Sequence, residues 1–183
     1  MLIGGKTGFG INICNRYNAD CFSRSTGYNI NNLDSRKEIA SRSVEYNTVI
    51  VHAYSGNDSQ LCVLQEIVKT WIENNHPGNI IVTGSIASYF ASYKANPKAW
   101  EYVSHKAAID AYCKYVSKKC IDGCYPFKIT VIKPGMLDTE KSREKPHFIK
   151  GIDGEKYCDV IDFILTLPTD LIIPEIPIEC IYD

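Results

Sequence analysis

Three continuous apolar runs constrain this chain more than any other feature: Thr48–Ala53 (TVIVHA), Asn79–Thr83 (NIIVT) and Phe127–Ile132 (FKITVI). Short runs rich in Val and Ile, without polar alternation, are the pattern of strands covered on both faces. Helical spacing fills the intervals between them. In Ser59–Asn74 the residues Leu61, Leu64, Ile67, Val68 and Trp71 recur three and four apart, and His76-Pro77-Gly78 stops the segment. Trp100–Lys119 reads as a long helix ended by Asp122-Gly123. Upstream, the pattern predicts a short strand at Met1–Ile3, a helix over Gly10–Tyr17, and brief strands at Asp20–Ser23 and Tyr28–Ile30. A helix capped by Asp34 then runs to about Ser43. Downstream it predicts a helix over Tyr157–Leu165 and a last strand, interrupted by prolines, over Leu171–Ile178. Alternating strands and helices of this kind specify an α/β fold, doubly wound around a mainly parallel sheet. The 183 residues suffice for one such domain.

Ligands of open parallel sheets bind beyond the carboxyl ends of the strands, so the residues just after each strand carry the functional information. Gly4-Gly5-Lys6-Thr7-Gly8-Phe9-Gly10 follows the first strand and opens the first helix. Glycines there let the backbone turn tightly and approach a pyrophosphate, whose charge the helix N-terminus favours. Gly5-Lys6-Thr7 also looks like the end of a P-loop, but that motif needs a further glycine five residues earlier, before the chain begins. Tyr102 and Lys106 stand four apart near the start of the long helix, which puts phenol and ammonium on one face. A neighbouring ammonium is expected to lower the phenol pKa and make Tyr102 a proton donor and acceptor for a carbonyl/alcohol pair.

Taken together these motifs resemble the short-chain dehydrogenase/reductase family. Gly4, Gly8 and Gly10 fit its TGxxxGxG turn, with Ile3 in place of Thr. Ser85, in Val82-Thr83-Gly84-Ser85, fits its substrate-binding serine, and Tyr102 and Lys106 fit YxxxK. Pro134, Gly135 and Thr139 fit PGxxxT, whose threonine meets the nicotinamide end of the cofactor. The resemblance spans about residues 1 to 140. It implies a Rossmann-type dinucleotide-binding domain over 1–183, with Tyr102 transferring the proton, Lys106 holding the ribose and Ser85 orienting the substrate oxygen. Asn57, 28 residues before Ser85, takes the spacing of the family's fourth catalytic residue, which holds a water that relays protons to the lysine; a turn or capping role is equally open.

The resemblance also places the cofactor. Phe9 in the turn, Asn29 and Ile30 near the adenine, and His52 and Ala53 in the segment equivalent to NNAG are expected to line its site. There His52 replaces an Asn, and Tyr54 adds bulk where the family has Gly. After the second strand no acid stands ready for a free ribose 2′-hydroxyl; Arg24 and Ser25 stand there instead, with Lys6 nearby. That set suits a 2′-phosphate, so NADP(H) is expected over NAD(H). Ser85 and Tyr102 lie further apart than is usual, which enlarges the loop Ser88–Ala99. Tyr89, Phe90, Tyr93 and Trp100 are expected to line a substrate pocket there. Two other functions share the motifs: a dinucleotide-binding regulatory or scaffold protein without turnover, and a sugar-nucleotide epimerase or dehydratase.

Twenty basic against 21 acidic residues give a net charge of −1, which argues against nucleic acid or a polybasic membrane surface as partner. A small carbonyl or alcohol is the expected partner, and the resemblance implies a homodimer or homotetramer. The start of the chain lacks the pattern of a secretory signal, and a cytoplasmic location is expected. The eight cysteines are irregularly spaced and the four histidines scattered, so reduced thiols and no metal site are expected.

Overall fold

The computed structural model describes residues 1–5, 8–54, 57–89, 97–146 and 148–181. Six parallel strands form one sheet: β1 (Leu2–Ile3), β2 (Cys21–Phe22), β3 (Thr48–Val51), β4 (Gly78–Thr83), β5 (Phe127–Pro134) and β6 (Glu175–Ile178), in the order β2-β1-β3-β4-β5-β6. The helices are α1 (Gly10–Tyr17), α2 (Leu33–Ser43), α3 (Ser59–Glu73), α4 (Pro97–Ile121), α5 (Glu140–Arg143) and α6 (Gly154–Thr166). The apolar runs found in the sequence occupy the centre of the sheet, and the order reverses between β1 and β3. That reversal is where an open α/β sheet leaves a crevice for ligands.

Strand residues point alternately to the two faces. Val49, Val51, Ile80, Val82, Ile129 and Val131 pack with Ile39 of α2, Leu64, Ile67 and Trp71 of α3, and Ile109 and Val116 of α4. Ile50, Ile81 and Ile132 face the other way, onto Ile13 of α1 and Tyr157, Ile161 and Ile164 of α6. Both faces are therefore dry, as the unbroken apolar runs require. Trp71 is fully buried and donates its indole N–H to Ser43 Oγ at 2.9 Å, which ties α3 to α2 while satisfying the one polar atom of the ring.

Four expectations are corrected here. Tyr28–Ile30 is not a strand. Asn31 N–H donates to Asn29 Oδ1 at 3.1 Å and Arg36 Nη1 to the Ile30 carbonyl at 3.0 Å, so local bonds take the groups a ladder would use. The sheet consequently ends at β2. The cap of α2 is Asn32, not Asp34: Asn32 Oδ1 accepts from Asp34 N at 2.8 Å and Ser35 N at 3.1 Å. The last strand covers only Glu175–Ile178. It lies at the sheet edge, where Pro177 is tolerated. Cys14 and Cys21 form a disulfide rather than two thiols, because the left-handed Asn18 (φ 44°) ends α1 and returns the chain to β2 within a few residues. Cys62, Cys113, Cys120, Cys124, Cys158 and Cys180 are free.

Candidate active site

Two cavities adjoin at the carboxyl ends of the strands, of about 410 Å³ and about 450 Å³, and His52 lines both. The first opens over the end of β1. Gly4 and Gly5 take φ of 95° and 84°, a region that L side chains rarely adopt. A Cβ on Gly4 would lie 2.7 Å from Ala53 Cα, and one on Gly10 would collide with the backbone of Gly5. The glycines therefore let the turn lie directly against Ala53 and close upon itself, where a Cβ on Gly4, Gly5 or Gly10 would clash with backbone. Gly5 completes it, although the spacing of the motif draws attention only to Gly4, Gly8 and Gly10. Gly4, Arg24, Ser25, Asn29, Ile30, His52 and Ala53, all expected at the cofactor, line this cavity together.

Arg24 and Ser25 sit on a single 3₁₀ turn after β2. Thr26 Oγ1 accepts from Ser23 N at 2.9 Å and holds the turn in place. The Ser25 and Ser23 hydroxyls are 2.9 Å apart. Among the described residues the Arg24 guanidinium has no hydrogen-bond or ion-pair partner, and no carboxylate lines the cavity. Lys6 lies outside the described residues. Phe9 is placed differently from the expectation. Its ring is buried against Tyr157, centroids 5.4 Å apart, so it packs in the core below the cradle rather than lining it.

The second cavity brings Ser85, Tyr102 and Lys106 together with Pro134, Gly135 and Leu137. Ser85 follows β4, and its Oγ accepts from Ala87 N at 3.1 Å. Its hydroxyl and the Tyr102 phenol line the same cavity. After β5, Asp138 N donates to the Ile152 carbonyl and Ile152 N to the Met136 carbonyl, both at 2.8 Å, which pins the Pro134–Thr139 segment beside the cavity. Thr139 itself does not line it. Its Oγ1 caps α5, accepting from Ser142 N at 3.1 Å, and Ser142 lines the wall instead.

Lys106 is 3% exposed, and its Nζ donates to Gln60 Oε1 at 2.8 Å and to the Thr83 carbonyl at 3.0 Å. It lies 5.1 Å from the centroid of the Tyr54 ring and 5.9 Å from that of Tyr102. Burial lowers its pKa to about 7. The expected lowering of the Tyr102 pKa is not found. Burial raises it, and the nearby Ser85 hydroxyl opposes that only in part, because the ammonium is directed at Gln60 and Thr83 rather than at the phenol oxygen. His52 Nδ1 meets Thr83 Oγ1 at 2.9 Å, and Thr83 Oγ1 meets the fully buried Tyr157 hydroxyl at 2.6 Å. Burial first, then the charge of Lys106, lowers the His52 pKa to about 4, so the imidazole is neutral at ordinary pH.

Asn57 is not at Lys106. Its Oδ1 accepts from Ser59 N at 3.1 Å and its Nδ2 donates to Asn31 Oδ1 at 3.3 Å, so it serves the turn into α3. The residue that meets the lysine, Gln60, has no motif in the sequence to mark it. Of the aromatics expected around the substrate, Phe90 and Tyr93 lie outside the described residues. Tyr89 packs its ring 4.1 Å from Lys133 Nζ, and Trp100 is exposed; neither lines the cavity. Ile86, Ala87, Ala99, Val103 and Met136 supply its apolar surface.

No family model and no curated protein matches the sequence. Solved structures match over nearly the whole chain. A short-chain dehydrogenase/reductase, glucose/ribitol dehydrogenase, from Brucella melitensis superposes with a TM-score of 0.74 at 14% identity, covering 97% of this chain and 93% of that one. The 3-alpha-hydroxysteroid dehydrogenase from a Pseudomonas species, complexed with NADH, gives 0.74 at 12% identity, covering 97% and 94%. An alcohol dehydrogenase from the archaeon Thermococcus sibiricus, complexed with 5-hydroxy-NADP, gives 0.71 at 17% identity, again covering 97% and 94%. At these identities it is the path of the backbone that is shared, and on that path the chain has the fold of the short-chain dehydrogenases/reductases.

Proposed function

We propose that this protein is an NADP(H)-dependent oxidoreductase that interconverts a carbonyl and an alcohol. The observation that carries the reading is the convergence of Ser85, Tyr102 and Lys106 on one cavity, beside a second cavity floored by bare glycine backbone. The residues present fit a dinucleotide: Gly4 and Gly5 present backbone without side chains to the first cavity, and α1 begins just after the turn. Arg24 and Ser25 would receive a 2′-phosphate, the guanidinium having no other partner among the described residues. Two structural neighbours, a serine dehydrogenase complexed with NADP+ and the alcohol dehydrogenase with 5-hydroxy-NADP, support the same cofactor, whereas the hydroxysteroid dehydrogenase is complexed with NADH.

Bound there, the cofactor supplies or accepts the hydride. The chain supplies the rest. Ser85 donates to the substrate oxygen and holds it beside the phenol. Tyr102 gives that oxygen its proton in reduction and takes it in oxidation. Lys106 would hold the ribose, and Pro134, Gly135 and Leu137, which line the same cavity, would receive the nicotinamide end. Apolar Ile86, Ala87 and Val103 keep water from the reacting carbon.

The same reading takes the protein as a homodimer or homotetramer paired through α3 and α4. Trp100, Tyr115 and Ile121 on α4 and Ile72 on α3 are exposed apolar side chains of the kind a second copy would cover. It also takes the location as cytoplasmic, which the six free thiols favour and the Cys14–Cys21 disulfide opposes. Among the described residues no helix is long and apolar enough to cross a membrane. The test is NADPH and NADH binding by fluorescence, followed by NADPH oxidation against a panel of ketones and aldehydes. Tyr102→Phe is expected to bind NADPH as wild type does and to lose about 10²–10⁴-fold in turnover, the usual worth of a general acid. A wild-type protein that binds neither cofactor, or a Phe variant that turns over normally, would refute the assignment.

A further inference from the structure

Gln60, the second residue of α3, is wholly buried, although nothing apolar in its chemistry calls for burial. Its Nε2 donates to the Val51 carbonyl at 3.2 Å and to the Thr83 carbonyl at 2.9 Å. An amide nitrogen has two hydrogens, so both are used, and the orientation of the amide is settled by them. Oε1, which can only accept, therefore faces the other way, and Lys106 Nζ meets it at 2.8 Å. An ammonium has three hydrogens. One goes to Gln60, one to the Thr83 carbonyl, and one remains.

We propose that Gln60 is a positioning residue of this site, fixing the Lys106 ammonium by direct contact at the ends of β3 and β4 so that its one remaining N–H is aimed at the cofactor ribose. The aim at the ribose rests on the oxidoreductase reading; the fixing of Lys106 does not. The family resemblance implies a water beside the lysine, held by Asn57. Here the side chain of Gln60 fills that face of Lys106, and Asn57 serves the turn instead. Lys106 is thus an anchored cation and not a conduit to solvent on the α3 side.

The groups around Lys106 are all neutral hydrogen-bonding or aromatic partners. His52 follows β3 and is neutral, and Tyr54 stacks edge-on against Tyr102 of α4 with centroids 5.2 Å apart. Cys113, on α4, is held protonated by burial. The neighbouring His105 turns its Nε2 to Asp58 Oδ1 at 3.3 Å, its ring centroid 6.5 Å from that of Tyr54. Lys106 has no carboxylate partner among the described residues; the acceptor oxygens of Gln60 and Thr83 are the groups its ammonium hydrogen-bonds, and the Tyr54 ring lies 5.1 Å away.

The test follows the ¹⁵Nζ resonance of Lys106 against pH in the cofactor-free protein, identified by its loss in Lys106→Met. Gln60→Met, close in shape but without the amide oxygen, is expected to lower the titration midpoint by about one to two pH units, the scale of one hydrogen bond to a charged group. Gln60→Glu is expected to raise it. Should Gln60→Met fail to fold, Gln60→Asn, one methylene too short to reach Nζ, takes its place and is likewise expected to lower the midpoint. Midpoints equal to wild type, or shifts of one sign in both variants, would overturn the proposal. NADPH binding by the wild-type protein is measured separately, so a failure of the oxidoreductase reading would show there and leave the lysine titration interpretable.

Discussion

Replacing Thr83 by Val isolates the polar thread that runs from α6 to the mouth of both cavities. Valine has the shape of threonine, and the backbone carbonyl that receives Lys106 and Gln60 is untouched. What disappears is one hydroxyl with two partners, the Tyr157 hydroxyl at 2.6 Å and His52 Nδ1 at 2.9 Å. Tyr157 is wholly buried, and no other described group receives its proton. Leaving a buried donor unsatisfied costs about 1–3 kcal/mol, and the imidazole nitrogen adds less because His52 borders the cavities, so the expected loss is about 2–4 kcal/mol. Urea unfolding should show a lower midpoint with an unchanged slope. The double variant Thr83→Val/Tyr157→Phe should recover about 1–3 kcal/mol of that loss, because it removes the buried phenol hydroxyl as well and leaves only His52 Nδ1 without its former partner. A loss below about 0.5 kcal/mol, the usual size of a change at an uninvolved site, would refute the reasoning, as would strict additivity of the two substitutions.

Three further outcomes follow from the same geometry. Arg24→Ala should weaken NADPH by about tenfold or more, one hydrogen bond to a charged group, and leave NADH nearly unchanged in parallel titrations; equal losses would remove Arg24 from the phosphate. Acid should destabilise the protein in a defined window: the His52 pKa is lowered from 6.5 to about 4, so the unfolded chain binds a proton that the folded chain refuses. Stability is then whole above pH 6.5 and falls as pH drops towards 4, by at most about 3 kcal/mol, and His52→Gln should flatten that part of the curve in urea titrations at stepped pH. Gly10→Ala should unfold at lower urea and lose NADPH binding together, since the added Cβ meets the backbone of Gly5; normal binding in that variant would show that the cradle yields.

Apolar strands, long helices and the glycine turn were legible in the sequence because each is a local pattern: burial on both faces leaves unbroken Val and Ile, and a bare turn leaves glycine. Ser85, Tyr102 and Lys106 were legible because each stands at a fixed offset from such an element. Partners that depend on how elements meet were not. Spacing singled out Asn57, yet Gln60, three residues on and about one helical turn away, is the residue that α3 presents to Lys106. The protonation balance of Tyr102 was misjudged for a similar reason, since four-residue spacing puts Lys106 on the same face but says nothing of the acceptors that draw its ammonium aside. Asn29 and Asn32 could have warned that Tyr28–Ile30 prefers side-chain bonds to a strand. The Cys14–Cys21 pair depends on a single left-handed residue, Asn18, that no spacing rule reveals.

The sheet is lopsided. β4 and β5 pair over six residues, whereas β1 meets β2 over two. Amide hydrogens exchange with solvent through the cheapest local opening, and a ladder of two residues offers little resistance compared with one of six. The half of the molecule that carries the glycine cradle and Arg24 is thus the half that opens first, while Thr83, Lys106 and the long strands stay closed. A nucleotide spanning the first cavity would bridge β1, β2 and the segment after β3, doing for that edge what an outer strand does in a wider sheet. Deuterium uptake in residues 1–5 and 20–30 should therefore slow sharply on saturation with the cofactor, and uptake in β4 and β5 should hardly change.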